Sequence, residues 1–275
     1  MKRIGLAILI LFIVVGRVKA QEQIVFQMAD PAQDDRGAGG LLYPSHQVFV
    51  PGLFDLRKFA VIRDDEYFYF DFQFTNITNP FGAPEGYFHQ RLEVYFDTNY
   101  PGGNEKITFA QYELQTSPKY GWEACLSVAP FGEGYLEFTT PTGTKRISTG
   151  VSSYVQPDGK TIRVQVDQTL LPEPDRSWRY YVLVGSFDGL APEFWRDLGI
   201  NPWDVGGEGP PIFDLLAPRW GLRSQKRQLG KGVLHPMGPG WFGNLPWLLI
   251  VLVLALAVGI VFWGIYYWRW LHARN

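Results

Sequence analysis

The stretch YFYFDFQFT, residues 67–75, alternates between two kinds of side chain along its whole length. Its four phenylalanines fall on one face of an extended chain, whereas Tyr69, Asp71 and Gln73 fall on the other. Successive side chains of a β-strand point to opposite faces, so this period of two is typical of a strand with one buried and one polar face. The stretch therefore predicts a sheet that covers a hydrophobic core.

The same alternation returns twice after this stretch, at residues 91–97 and 161–166. Further strand candidates lie at residues 24–28, 59–63, 122–128, 178–186 and 212–216. Turn-forming residues separate the candidates, and no long 3.6-residue apolar repeat interrupts them. The pattern predicts an all-β protein with a single antiparallel β-sandwich, which we place at residues 21–224.

The first twenty residues have the composition of an export signal. A short cationic start, Met1 to Arg3, precedes the apolar run from Ile4 to Gly16, and small residues precede Gln21. This order predicts a signal peptide over residues 1–20. An uncleaved membrane anchor is the alternative.

The other end of the chain contains a charge-free run at residues 245–268. A helix of that length spans about 30 Å of hydrocarbon, so we expect one transmembrane helix followed by a cytoplasmic tail at 269–275. Residues 225–244 are rich in Lys, Arg, Gly and Pro and are predicted to be a tether. With a signal peptide, this order predicts a single-pass cell-membrane protein whose main domain is extracellular, although the cations before the run favour the opposite orientation.

Composition excludes or disfavours several classes of function. The formal net charge is −2 over 275 residues, which provides no basic field for nucleic acid. Cys125 is the single cysteine, so there is no internal disulfide. The sequence has no Gly-x-Ser-x-Gly motif and no paired histidines for a catalytic metal. We therefore expect a protein that is not an enzyme.

Four stretches together resemble a known family. They are DPAQDDRGAGGLLYP at 30–44, FVPGLFDLRKFAV at 49–61, the run at 74–98 and the run at 195–218. In content and order they resemble the C-terminal domain of glucodextranase, within the broader group of DOMON-like carbohydrate-binding sandwiches. The resemblance implies a non-catalytic β-sandwich that binds α-glucan or cell-wall glycan, with calcium in its loops. This chain lacks the hydrolase domain that such modules accompany.

The first of these stretches offers ligands for calcium. Calcium takes hard oxygen ligands, which Asp30, Asp34 and Asp35 could supply, while the nearby glycines let carbonyl groups turn inward. Asp55, in the tripeptide FDL, could join them. Alternatively, these aspartates bond the amides of their own turns.

Aromatic side chains are the candidates for the sugar itself. Flat rings stack against the apolar faces of pyranoses, and Trp and Tyr add a polar group. We select Trp195 and Trp203 first, because charged residues flank them, and then Trp122 and Tyr87. Packing within the core is the alternative for each ring.

Two other functions stay open at this stage. A chain without an attached hydrolase could be a structural or assembly protein of the envelope that binds another protein. Some DOMON relatives bind haem through Met and His, for which Met28 and His89 are the candidates in the sandwich region.

Overall fold

The computed structural model describes residues 21–98, 103–109, 112–140, 143–174, 177–239 and 245–272. The predicted signal peptide and residues 273–275 of the predicted cytoplasmic tail lie outside the described residues. Strands dominate the described chain. They are β1 Gln23–Ala29, β2 Leu56–Arg63, β3 Tyr67–Phe74, β4 Gln90–Asp97, β5 Lys106–Phe109, β6 Tyr112–Thr116, β7 Ala124–Val128, β8 Gly134–Thr140, β9 Gly143–Ile147, β10 Val151–Val155, β11 Thr161–Asp167, β12 Arg179–Ser186, β13 Ile212–Leu215 and β14 Val233–Leu234. The α-helices are α1 Gln225–Lys231 and α2 Leu245–His272.

The strands form two large sheets and one small sheet. The five-stranded sheet has the order β1-β2-β3-β11-β10, and the six-stranded sheet has the order β13-β12-β4-β7-β8-β9. Every pair of neighbours in both large sheets is antiparallel. The small sheet has the order β14-β6-β5, and its β14–β6 pair is parallel. The expected all-β class with antiparallel sheets is confirmed.

One hydrophobic cluster joins the inner faces of the two large sheets. The phenylalanines of β3 pack there with the alternating apolar residues of β4, β11 and β12. Phe70 and Phe96, for example, approach edge to face with their ring centroids 5.4 Å apart. Every strand expected from alternation is present, because each can bury one apolar face against the opposite sheet.

A second cluster covers part of the outer face of the six-stranded sheet. Leu229 of α1 and Leu234 of β14 are buried there against Ile107 and Leu114 of the small sheet. The structure therefore contradicts the predicted tether over the first part of 225–244. Lys226, Arg227 and Lys231 occupy exposed positions, whereas Leu229 and Leu234 are buried.

Side chains of α2 are described for residues 251–265, and most of their large apolar groups are exposed. Within the described chain, we find no helix whose length and hydropathy suffice for a membrane crossing.

Candidate functional site

The acidic loop after β1 packs against the edge of the six-stranded sheet. The amide of Gly37 donates to the carbonyl of Phe213 at 2.9 Å, with φ at +60°. A Cβ atom at Gly37 would lie 2.8 Å from the carbonyl oxygen of Ile212. Glycine thus permits both the backbone turn and the close approach to β13. As a result the loop reaches an aspartate that is distant in sequence.

Three carboxylates converge at this contact: those of Asp30, Asp34 and Asp214. One oxygen from each lies within 4.8 Å of the others. Oδ2 of Asp30 and Oδ1 of Asp34 are buried and have no hydrogen-bond partner within the described chain. We call these three residues the acidic cluster.

Burial makes the ionised state of this cluster costly. It raises the pKa values of Asp30 and Asp214 well above their ordinary range, and neighbouring carboxylates raise them further. Burial, followed by the charges of Asp55 and Asp35, raises the pKa of Asp34 to about 6. Near neutral pH, the cluster therefore requires protons or a cation. Its hard oxygen donors with free lone pairs fit calcium or another hard divalent ion.

The other two predicted metal ligands already have protein partners. Asp35 accepts a hydrogen bond from the hydroxyl of Tyr43. Asp55 accepts from the amide of Gln33 at 2.8 Å and from the hydroxyl of Thr75, and an Arg57 nitrogen lies 3.8 Å away. Both line a neighbouring cleft of about 630 Å³. Of the four predicted ligands, only Asp30 and Asp34 lie in the acidic cluster.

Sequence reasoning missed Asp214, although a signal was available. The tripeptide FDL occurs at 54–56 and again at 213–215. The rings of Phe54 and Phe213 stack at 4.3 Å, and Oδ2 of Asp214 accepts from the amide of Leu56 at 2.8 Å. The repeated tripeptide therefore marks two segments that pack against each other.

A second candidate site lies on the part of the six-stranded sheet that the small sheet leaves uncovered. It is a cavity of about 430 Å³. Side chains of β4, β7 and β8 form its floor, the loop before β13 supplies one wall, and β5 with the loop before β7 supplies the other. The lining combines rings and charges: Glu93, Tyr95, Lys106, Trp122, Tyr135, Glu137, Arg146, Glu193 and Trp195 are among its members. We call this cavity the sheet pocket.

A buried polar network holds the floor of the sheet pocket. Arg91 is only 1 % exposed and donates to Glu93 at 2.9 Å and to the hydroxyl of Ser127 at 2.8 Å. Glu93 also accepts from the indole nitrogen of Trp195 at 3.2 Å and from the hydroxyl of Tyr95. A buried ion pair with further hydrogen bonds orients its members firmly, because a broken bond would leave a charge unsatisfied.

The rim of the sheet pocket is charged and partly exposed. Arg146 bonds Glu137 and, at 3.0 and 3.1 Å, both carboxylate oxygens of Glu193. Its guanidinium lies 4.5 Å from the centroid of the Tyr135 ring, and the Tyr135 hydroxyl donates to Glu193 at 2.8 Å. Glu193 has φ at 54°, an unfavourable conformation for a residue with a side chain. Such strained residues concentrate at ligand sites.

The structure brings two of the four predicted ligand-binding aromatics together. Trp122 and Trp195 both line the sheet pocket, but they are only 4 % and 1 % exposed, so little of either ring is accessible to a ligand. Tyr87 is completely buried, and its hydroxyl lies 3.0 Å from that of Ser153, so its ring cannot stack on a ligand. Trp203 lies elsewhere, half-buried and stacked on His46 at 4.1 Å. Sequence reasoning missed Tyr135, because it predicted no strand at residues 134–140.

The two residues considered for haem both lie inside the protein. Met28 packs in the main core. His89 is fully buried between Phe49 and Phe88, and burial lowers its pKa to about 4. Both side chains therefore fill space within the core.

Comparison with known proteins assigns a family to this arrangement. The model of the C-terminal binding module of glucodextranase, described as SLH-like, matches residues 25–234. The chain belongs to this family. The match ends at β14, so the glucodextranase-type module includes α1, in agreement with the burial of Leu229 and Leu234.

Other comparisons add little to the family assignment. The module matches no curated protein. Among solved structures, it is similar to a family 9 carbohydrate-binding module from Caldicellulosiruptor kristjanssonii in complex with cellotriose. Identity is 10 %, the alignment covers 78 % of this chain and 92 % of the other, and the TM-score is 0.27. A score this low does not establish a common fold.

Proposed function

We propose that this chain is a non-catalytic carbohydrate-binding module that holds α-glucan or cell-wall glycan in the sheet pocket. The observation that carries the proposal is the pocket itself, whose lining combines Tyr135 and two largely buried tryptophans with three carboxylates and Arg146. Rings bind the apolar faces of a sugar, and charged groups form strong hydrogen bonds with its hydroxyls. The volume lies within the usual range of about 300 to 1,000 Å³ for ligand sites.

Preorganisation of the pocket supports binding. The Arg91–Glu93 pair and the bidentate contact of Arg146 with Glu193 fix the charged groups before a ligand arrives. Groups that are already ordered lose less entropy on binding than mobile ones. Membership of a binding-module family supports a role without catalysis.

Calorimetric titration of the full-length chain with maltoheptaose, and pull-down with cell-wall polysaccharide, test this function. The detergent must lack a sugar headgroup, which would compete for the site. We expect Tyr135→Ala and Glu137→Gln to weaken binding on the order of tenfold, the loss of one stacking ring or one charged hydrogen bond. Trp203→Ala is the matched control from another surface. Absence of binding to both ligands, or loss only with Trp203→Ala, would contradict the assignment.

Calcium bound at the acidic cluster is the second part of the proposal. Three oxygen ligands, two of them with unpartnered buried oxygens, support it. The cation would link the loop after β1 to β13 and so connect an edge of the five-stranded sheet to an edge of the six-stranded sheet. Its role there would be to stabilise the fold.

Location is the third part of the proposal, and it rests on the sequence pattern alone. The signal-like segment at 1–20 and the apolar run at 245–268 support an extracellular module attached to the cell membrane. Protease treatment of intact cells should digest the module. Digestion only after lysis would reject this location.

An exposed aromatic patch favours a second candidate function, the binding of another protein. Phe81 and Phe131 are 51 % and 46 % exposed, and both approach Phe88. Aromatic residues are enriched at the centres of interfaces. A stoichiometric partner that co-purifies with the chain, and is lost with Phe81→Ser and Phe131→Ser, would support this function.

A further inference from the structure

Cationic side chains gather where the chain leaves the sheets at Pro239. We call this surface the basic collar. Its members are Lys119, Arg179, Arg219, Arg223, Lys226, Arg227 and Lys231.

Several contacts place four members of the collar, Lys119, Arg179, Arg223 and Lys231, around the chain exit. A Cβ atom at Gly238 would lie 3.0 Å from Cγ of Arg179, so these two residues touch. The guanidinium of Arg179 and the ammonium of Lys119 lie 5.5 and 5.4 Å from the centroid of the Tyr120 ring. Arg223 acts electrostatically on both Arg179 and Tyr120, and it also acts with Lys231 on His235.

Three cations of the collar form no ion pair within the described chain, although the charge of Arg219 acts on Asp34. Within the described chain, no ion pair involves Arg219, Lys226 or Arg227. All three line an open cleft of about 490 Å³. Unpaired cations on one surface form a field that attracts anions.

Two large apolar side chains project from the same surface. Trp220 is 79 % exposed and Leu222 is 74 % exposed, and the guanidinium of Arg219 lies 5.7 Å from the Trp220 ring. Exposed Trp and Leu among Lys and Arg are the combination that binds the interfacial region of a bilayer.

The onward course of the chain indicates what covers this surface. Only residues 240–244 separate Pro239 from α2, a distance of at most about 20 Å along an extended chain. The described side chains of α2 are apolar and exposed, from Val251 to Ile265. An apolar environment that covered these side chains would lie within reach of the collar.

We infer that the basic collar docks on anionic lipid headgroups, with Trp220 and Leu222 in the interfacial layer, and thereby fixes the orientation of the module on the membrane. Charge complementarity favours this occupant, since anionic lipids attract Lys and Arg near the surface. The sheets then stand directly on the bilayer. The inference rests on the proposed attachment to the membrane and is independent of sugar binding.

A fluorophore sensitive to polarity, attached to Leu222→Cys, reports the docked state in the full-length chain reconstituted into vesicles. Cys125 is buried, and burial raises its thiol pKa, so label attaches to the introduced cysteine under native conditions. Leu190→Cys is the matched control probe. Leu190 is 98 % exposed and follows the end of β12 that is opposite Arg179. The two ends of β12 lie about 23 Å apart.

In vesicles with 30 % phosphatidylglycerol, we expect the probe at 222 to shift to the blue and to be quenched by lipid-attached quenchers. The control probe should not respond. We expect the ratio of docked to undocked molecules to fall by about fivefold or more in each of the variants Arg219→Glu, Lys226→Glu and Arg227→Glu. Circular dichroism and unchanged thermal unfolding confirm that the variants fold. Equal signals from the two probes, or equal docking on vesicles of phosphatidylcholine alone, would overturn the inference.

Discussion

Asp34 and Asp35 are adjacent in the chain, yet the fold gives them different surroundings. Asp34 points a buried, unpartnered oxygen into the acidic cluster, whereas Asp35 accepts a hydrogen bond from Tyr43. A carboxylate whose partner is a protein hydroxyl does not need a cation, but one that faces other buried carboxylates does. At the residue scale, the proposed calcium function therefore depends on Asp34 and much less on Asp35.

Replacing each of these two aspartates separates their roles. We expect Asp34→Asn to melt at the same or a higher temperature in EDTA at pH 7.5, because the substitution relieves repulsion. The same variant should lose calcium affinity on the order of tenfold or more. Asp35→Asn, which removes the same charge one position away, should retain most of the calcium response. Thermal unfolding at increasing calcium concentration measures the stability and the calcium affinity of each variant. Equal losses of calcium affinity in the two variants would contradict the different roles of Asp34 and Asp35.

The pH dependence of the calcium effect follows from the raised pKa values of the acidic cluster. Without calcium, the folded state holds protons that the unfolded state releases, so stability from Asp34 is present below about pH 4 and is lost as the pH rises through about 6. Calcium favours the ionised carboxylates and offsets this loss. We therefore expect the calcium-induced rise in melting temperature to be small at pH 4 and to grow through pH 6 to 7.

The quantity to compare in this experiment is the melting temperature with calcium minus the melting temperature with EDTA, at each pH. His89 has a pKa lowered to about 4, so its contribution rises with pH and opposes that of the cluster. Asp97, whose pKa burial raises to about 6, adds a loss of the same sign as the cluster. Both lie outside the acidic cluster and cancel in the difference. A calcium effect that is equal at pH 4 and pH 7 would show that the cluster does not bind the ion.

At the element scale, β12 determines the shape of the sheet pocket through one missing side chain. The Trp195 ring lies directly over Gly185, where an added Cβ would be 1.9 Å from Cζ3 of the indole. The ring can therefore lie close against the strand, and its Nε1 donates to Glu93. Glycine within a strand commonly marks such a close approach.

Gly185→Ala should displace the Trp195 ring and destabilise the chain by about 1–3 kcal/mol, the usual cost of overpacking a core. Sugar binding in the sheet pocket should fall with it. Urea denaturation measures the free energy of unfolding, and titration with maltoheptaose measures binding. The matched control is Gly230→Ala in α1, where no atom lies within 4 Å of the added group. That control should raise stability by up to about 1 kcal/mol, because alanine favours a helix; a similar loss in both variants would contradict the packing argument.

On the scale of the whole molecule, α1 and β14 complete the domain. Leu229 and Leu234 cover the outer surface of the sheets, and Met237 pairs with Tyr180 across two backbone hydrogen bonds. Their removal would expose apolar side chains of β5 and β6. The domain therefore extends to Pro239.

Two shortened chains test this boundary, one covering residues 21–224 and one covering residues 21–239. Each fully buried leucine contributes about 1.5–3 kcal/mol, so the shorter chain should lose several kcal/mol of stability. We expect it to melt at a much lower temperature or to aggregate. The longer chain provides the control. Equal melting temperatures would return α1 and β14 to the role of a tether.

Sequence alone determined the fold class of this protein, because the alternation of apolar and polar residues within a strand shows which of its faces is buried. Phe70 and Val94 alternate with more polar neighbours whatever their partners are, and that period predicted β1, β2, β3, β4, β7, β11, β12 and β13. It missed β5, β6, β8, β9 and β10, which are short or partly to largely exposed, and it missed α1 and β14, whose apolar residues are few. Family motifs likewise resided in local sequence and were recognised from it.

Tertiary structure alone decided the sites. Asp214 and Asp30 lie near opposite ends of the domain's sequence, yet their carboxylates come together in the fold. Trp195 contacts Glu93 only because Gly185 leaves room for its ring. No local pattern encodes such meetings, since they depend on which strand lies beside which. Alternation reports whether a side chain faces inward or outward, but the partner that it meets there is set by the order of the strands in the sheets.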